Sequence, residues 1–225
     1  MEALLSSIVS ILFHGLAFGA ILYVISVGLS VTMGLMGFVN LAHGVFAMAG
    51  GFLMISAMQK LGLAWLPALA LACVAVALAS VILERLLYAR LYGAGELEQV
   101  LFTIGLIFVA VAVARLAYGP GPQAAPLPEY MKGQTELFGR NFPSYRVVVI
   151  CASAALIAIL WIGLERTRWG AMVRAAVDNR AMAQAIGIDT GRLFTFTFAL
   201  GSGLAALGGA LGADLIAITP TYPFE

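Results

Sequence analysis

Asn40 and His43 stand three residues apart in the stretch GLMGFVNLAHG (34–44), inside a run from Ala3 to Gln59 that contains no Asp, Glu, Lys or Arg. Positions i and i+3 share one face of a helix. An amide and an imidazole placed there offer N–H donors, a carbonyl acceptor and a ring nitrogen. That chemistry has two uses. Asn is a preferred N-cap, so its oxygen would take the N–H of Ala42 or His43, and His43 would bond a neighbouring carbonyl, satisfying groups that lipid cannot. Alternatively, a helix that starts within a membrane shows free N–H groups and a positive dipole end to a passing carboxylate, with Asn40, His43, Gly37 and Gly44 lining the way.

Catalytic chemistry finds little support. Ser202 in GSG could pair with His43, but the glycines around it have a packing explanation, and Asp178 and Asp214 fall on opposite sides of any alternating topology. His14 and His43 alone make a poor metal site. The expectation is no catalytic residue, no metal and no cofactor. Cys73 and Cys151 both lie in apolar spans and read as small packing residues.

The elements that hold these residues follow from composition. Of 225 residues, 62% are hydrophobic and only 10% charged, against about 25% charged in a soluble domain. The chain is therefore an all-α integral membrane protein, because the ten-residue alternation of a membrane β-barrel is absent. A net charge of +1 without a separate basic patch gives no reason to expect nucleic acid. The N-terminus has Glu2, no basic n-region and an apolar run too long for a signal peptide.

Crossing about 30 Å of hydrocarbon takes roughly 20 helical residues. On that measure six spans are expected, at 6–32, 39–58, 63–83, 98–118, 147–164 and 193–217, forming one polytopic helical domain over 1–225. The connections at 84–97 and 165–192 carry seven of the twelve basic residues: Arg85, Arg90, Arg166, Arg168, Arg174, Arg180 and Arg192. That bias puts both in the cytoplasm and the N-terminus outside. Lys60 and the loop 119–146, which holds five of the eight prolines and so cannot be a helix, then face outward.

In the last span, Gly201, Ala205, Gly208 and Gly212 recur every three or four residues and form a seam on which another helix can pack closely. Gly15 and Gly19 in the first span read the same way. The segment TRWGAMVRAAVDNRAMAQAIGIDTGR (167–192) is too polar to span and too Ala-rich for a solvated linker. An amphipathic helix is expected there, with Trp169, Met172, Val173, Ala176, Val177, Ala183 and Ile186 as its apolar side and Gly187 as its stop. It would lie on lipid headgroups or dock in a partner's groove.

Taken in order, GLMGFVNLAHG, TRWGAMVRAAVDNRAMAQAIGID and the Gly-rich span after it resemble the branched-chain amino acid permeases of bacterial ABC importers, with the urea and short-amide permeases as close relatives. The likeness runs from about Ile8 to the end. It implies a transport subunit of the bacterial inner membrane that works with a second homologous permease, two cytoplasmic ABC ATPases and a periplasmic substrate-binding protein. It also implies that 173–187 is a coupling helix, with Arg174, Asp178, Asn179, Arg180, Ala183 and Gly187 facing the ATPase, and that Asn40 and His43 stand beside the permeation path. No Walker A pattern occurs in the chain, so ATP would be hydrolysed elsewhere. Family members continue with further spans beyond ITPTYPFE, so a chain lacking the C-terminal spans is expected. A secondary transporter or channel is the rival, and it would need coupling carboxylates that the span interiors lack.

Overall fold

The computed structural model describes residues 2–137 and 140–224, and these form a helical bundle. Its long helices are α1 (Glu2–Met36), α2 (His43–Lys60), α3 (Trp65–Leu86), α4 (Glu96–Tyr118), α5 (Ser144–Arg166) and α8 (Thr190–Gly212). Two short helices, α6 (Arg168–Asp178) and α7 (Arg180–Ala185), occupy the polar segment before α8. The Pro-rich loop between α4 and α5 holds a three-residue 3-10 turn at Glu129–Met131 and an antiparallel hairpin of β1 (Gln134–Leu137) and β2 (Arg140–Pro143). Residues 138 and 139 of that loop lie outside the described residues.

Among the described residues, five helices are long and apolar enough to cross a membrane: α1, α3, α4, α5 and α8. The sixth expected span corresponds to α2, which has 18 residues and carries His43 at one end and Gln59 and Lys60 at the other. His43 is buried inside the bundle, whereas Gln59 and Lys60 are exposed at the other end of the helix.

The centre of the bundle is α8, which packs on α1, α2 and α3. Two thirds of its apolar stretch is buried (67%), against 11–22% for the other four spanning helices. Lipid gives no hydrophobic drive to helix pairing, so close backbone approach and dispersion must supply it. Small residues permit that approach on two faces. Towards α1, a Cβ on Gly201 would lie 2.4 Å from Thr32 Cγ2, one on Gly208 2.5 Å from Ile25 Cγ1, and one on Gly212 3.2 Å from Ile21 Cγ2. Ala205 between them is wholly buried. Towards α2, a Cβ on Gly209 would stand 2.0 Å from Ala47 O, and one on Gly50 2.3 Å from Ala206 O. The α2 contact was not expected from the sequence, where the seam comprised Gly201, Ala205, Gly208 and Gly212 and did not include Gly209.

Gly15 and Gly19 correct the expectation made for them. Both are exposed, and a Cβ added to either meets nothing within 4 Å. They lie on the outer side of α1, away from α8, so they make no seam within this chain.

On the side where α8 ends, Tyr145 Oη of α5 donates to Leu211 O (2.6 Å), and Gln123 of the Pro-rich loop pairs its backbone with Ile218 (2.8 and 2.9 Å). The final residues return over the start of α2, with Pro223 Cα 3.0 Å from the position of a Gly44 Cβ.

Candidate functional site

The break between α1 and α2 is built by Gly37, Asn40 and His43. Gly37 has φ +59° and donates its N–H to Met33 O (2.9 Å), which is the left-handed residue that ends a helix. Asn40 Oδ1 then accepts two hydrogen bonds, from Ala42 N and from Tyr88 Oη, both at 3.1 Å. The first is the bond foreseen for a cap, but Asn40 does not hold the cap position. Helical geometry begins at His43, Ala42 precedes it, and Asn40 closes a local side-chain turn two residues earlier. His43 Nε2 bonds Ile25 O of α1 at 3.1 Å. A carbonyl only accepts, so Nε2 carries the proton, and in the neutral ring Nδ1 is left as an acceptor.

The turn at Gly37 falls within the stretch 33–38 expected between the first two spans, but helix resumes only at His43 rather than at 39. His43 Nε2 lies 3.2 Å from the position of a Cβ on Gly28, which itself meets Gly201 O of α8 at 2.5 Å. Gly201 is near the middle of α8. Ala42 likewise packs against Ile107 and Val111, near the middle of α4. Gly28 lies eight residues before the end of α1, roughly 12 Å at 1.5 Å per residue. The chain therefore re-enters the bundle without helical structure, and α2 starts halfway along its neighbours. Its positive end points into the interior of the bundle.

Asn40 and His43 are 3% and 4% exposed, and Asn40 Nδ2 and His43 Nδ1 have no hydrogen-bond partner. Buried polar atoms are normally paired. One unsatisfied donor and one unsatisfied acceptor, three residues apart in the chain, thus flank the start of a half-helix. Gly37 and Gly44 have structural duties of their own, the first in ending α1 and the second in admitting Pro223.

Sequence reasoning missed three buried polar residues, two of which, Tyr88 and Gln99, bond the break directly. Tyr88 belongs to a 3-10 turn (Tyr88–Leu91) after α3, is fully buried, and bonds Asn40. Gln99 at the start of α4 accepts from Val39 N (3.1 Å) and donates to Leu91 O and Ala94 O (3.2 Å each). Glu84 at the end of α3 is 2% exposed, accepting from Thr195 Oγ1 (2.8 Å) and from Tyr92 Oη. No local pattern marks them. The one signal available was a carboxylate and an amide beside apolar spans.

The polar segment before α8 corrects the single helix expected over 173–187. Asn179 is extended (φ −155°, ψ 98°) and its Oδ1 accepts from Met182 N at 2.9 Å, so it ends α6 and caps α7. Thr167 and Asp189 cap α6 and α8 in the same way. Gly187 does stop α7, with φ +91° and bonds from Gly187 N to Gln184 O and from Ile188 N to Ala183 O, the paired pattern of a Schellman cap.

The apolar side of the segment divides. Val173, Ala176 and Ala183 are buried against Leu193 and Phe194 of α8, while Met172, Val177, Met182 and Ile186 are exposed. Ala183 therefore faces its own chain and cannot meet a partner. Arg174, Asp178, Asn179, Arg180 and Gly187 are on the outside. Arg174 reaches back to Leu164 O, and the Arg180 guanidinium lies over the Phe194 ring at 4.5 Å.

A nucleophile–base pair is not formed. Ser202 Oγ donates to Phe198 O (2.8 Å) while His43 is engaged with Ile25. Among the described residues no three His, Cys, Asp or Glu side chains converge to hold a metal ion.

Residues 11–222 match the family described as branched-chain amino acid transport system / permease component. The chain is similar to the high-affinity branched-chain amino acid transport system permease protein LivH of Escherichia coli (strain K12), 26% identical over 222 residues, covering 94% of this chain and 72% of that one. It is similar to the corresponding protein BraD of Pseudomonas aeruginosa at 25% over 225 residues, covering 95% and 73%. A shorter stretch of 93 residues is 32% identical to the fructose import permease protein FrcC of Rhizobium meliloti, covering 38% and 25%. No solved structure matches.

Proposed function

The chain belongs to the permease component family of branched-chain amino acid transport systems, a family of non-enzymatic, multi-pass membrane permeases of bacterial ABC transporters, and from that premise we propose that it carries branched-chain or related amino acids inward along a path that passes the start of α2. The observation that carries this reading is the unpaired couple at the break. Asn40 Nδ2 is a free donor beside the positive end of α2, suited to a carboxylate, and His43 Nδ1 is a free acceptor, suited to an ammonium. A zwitterionic amino acid offers both groups within a few ångströms. Phe46 and Phe198, packed edge-on at 5.7 Å beside His43, give the apolar surface an aliphatic side chain requires. Both polar residues are buried, so the path is closed in this conformation.

Membership of an ABC permease family supports the partners. Two cytoplasmic ATPases supply the energy, a second homologous permease completes the path, and a periplasmic binding protein delivers substrate to the outer face that includes the 119–146 loop. The exposed surface of α6 and α7 in the cytoplasmic loop 165–192 receives the ATPase, and the N-terminus lies outside.

Reconstituted vesicles containing the permeases, ATPases and binding protein test this directly. Radiolabelled leucine is expected to accumulate only with ATP, and unlabelled isoleucine or valine in excess should suppress that uptake at least tenfold. Fructose, urea and acetamide should not. Accumulation of fructose or a short amide in place of leucine would reassign the substrate. Uptake without ATPase subunits would contradict the importer reading.

A further inference from the structure

We infer that Tyr88 and Tyr92, on the short turn between α3 and α4, are positioning residues that transmit displacement of the 167–192 segment to the break at Asn40; the inference rests on the importer reading above. The two tyrosines share Phe38 but engage different further neighbours. Tyr92 stands towards the α6–α7 segment: its ring packs edge-on against Phe194 at 5.8 Å, the same ring that carries the Arg180 guanidinium on it. Its hydroxyl donates to Glu84, whose other oxygen accepts from Thr195 of α8. Burial, and then the Glu84 carboxylate, push the Tyr92 phenol above its ordinary value, so it stays protonated and keeps donating. Tyr88 stands towards the break: its hydroxyl donates to Asn40 Oδ1, and its ring packs on Phe38, Phe102 and Phe198 at 4.8–5.5 Å.

Phe38 joins the two, lying 5.2 Å from Tyr88 and 6.2 Å from Tyr92. Gln99 ties the same turn to Val39. The turn is therefore gripped at one end by the start of α8 with α7, and at the other by the residues between α1 and α2. A short 3-10 stretch is a common hinge. Packed rings move between discrete arrangements rather than deform smoothly, so a shift of α7 and Phe194 has to be taken up by the turn and passed to Asn40. Losing the bond from Tyr88 frees the Asn40 oxygen and changes what the α2 start presents.

The test uses the assembled importer in vesicles, measuring ATP hydrolysed and amino acid accumulated on the same sample. Tyr92→Phe and Tyr88→Phe keep the rings and remove one hydroxyl each. Each is expected to raise the ATP spent per amino acid accumulated at least tenfold while the ATPases still co-purify. Because the two act in series, the double variant should be no worse than the worse single. Should Tyr92→Phe fail to assemble, Thr195→Val cuts the same junction from the α8 side and is read instead. Ratios within twofold of the unaltered protein, or losses that multiply in the double variant, would overturn the inference and leave the importer reading standing. Unaltered vesicles that hydrolyse ATP but accumulate no amino acid would overturn the importer reading, and this inference with it.

Discussion

Gly209→Leu is expected to leave little folded protein, lowering stability by about 3 kcal/mol or more. The reason is geometric. A Cβ at position 209 would lie 2.0 Å from Ala47 O and 2.8 Å from Ala47 Cα, both backbone atoms of α2 that cannot rotate away. Overpacking a close-packed site ordinarily costs about 1–3 kcal/mol when side chains can adjust; here the helices must separate. That separation also breaks the matching contact of Gly50 with Ala206 O, and α2 loses its docking surface on α8. Domains have only about 5–15 kcal/mol in hand. Gly15→Leu adds the same bulk to a helix face that meets nothing in this chain, and it should leave the melting temperature of the isolated subunit unchanged. Thermal unfolding in detergent, followed by size-exclusion profile, reads both. A Gly209→Leu protein that melts with the unaltered one would show that α2 and α8 do not approach as described.

The second large effect is expected at the exposed face of α7. Ile186→Glu combined with Met182→Glu should reduce ATPase co-purification at least tenfold, with membrane insertion and melting unchanged. Ile186 and Met182 are 68% and 60% exposed, so neither contributes to the packing of this chain. Exposed substitutions away from special features change stability by only about 0.5 kcal/mol. In the proposed ATPase contact, these two outward apolar side chains, following Asp178, Asn179 and Arg180 in the chain, would serve as the anchors of a helix-in-groove contact. The inward face is already occupied by Leu193 and Phe194, which leaves this outer face for a partner. Arg180→Glu is a less clean probe, because Arg180 also covers Phe194 and its loss disturbs the turn carrying Tyr92. Co-purification undiminished by the double substitution would remove α7 from the ATPase contact.

Much of this architecture is readable in the sequence because lipid allows so few solutions. The expected spans 63–83, 98–118 and 147–164 coincide with α3, α4 and α5 to within three residues at each end, since runs of apolar residues and charged boundaries determine where a helix enters and leaves. The helix stop at Gly187 was legible for the same local reason: it ends its helix with a positive φ, which glycine adopts without strain. The start of α2 was not. The turn around Gly37 was expected, but hydropathy continues unbroken through GLMGFVNLAHG and cannot show that the chain comes back inward without helix until His43. Periodicity grouped Gly201, Ala205, Gly208 and Gly212 on one face, which does meet α1, but gave no sign that the neighbouring Gly209 opens a second close approach, to α2. Asn179 was read as one polar residue in a continuous helix; its side chain instead competes for the Met182 N–H and breaks that helix in two. Tyr88, Glu84 and Gln99 lie outside any motif, and their importance arises from what a distant part of the chain brings to them.

The central claim is that the start of α2, held halfway through the bundle, lines the path of the substrate. A single cysteine answers it. His43→Cys is made in a protein whose Cys73 and Cys151 are replaced, and Met54→Cys, at a position with no exposure, serves as the protected reference. In the assembled importer a small aqueous thiol reagent should modify His43→Cys at least about tenfold faster than Met54→Cys in one nucleotide state and slowly in the other. Protection of His43→Cys equal to that of Met54→Cys in every nucleotide state would contradict the account and leave Asn40 and His43 as groups that only bind the helices together.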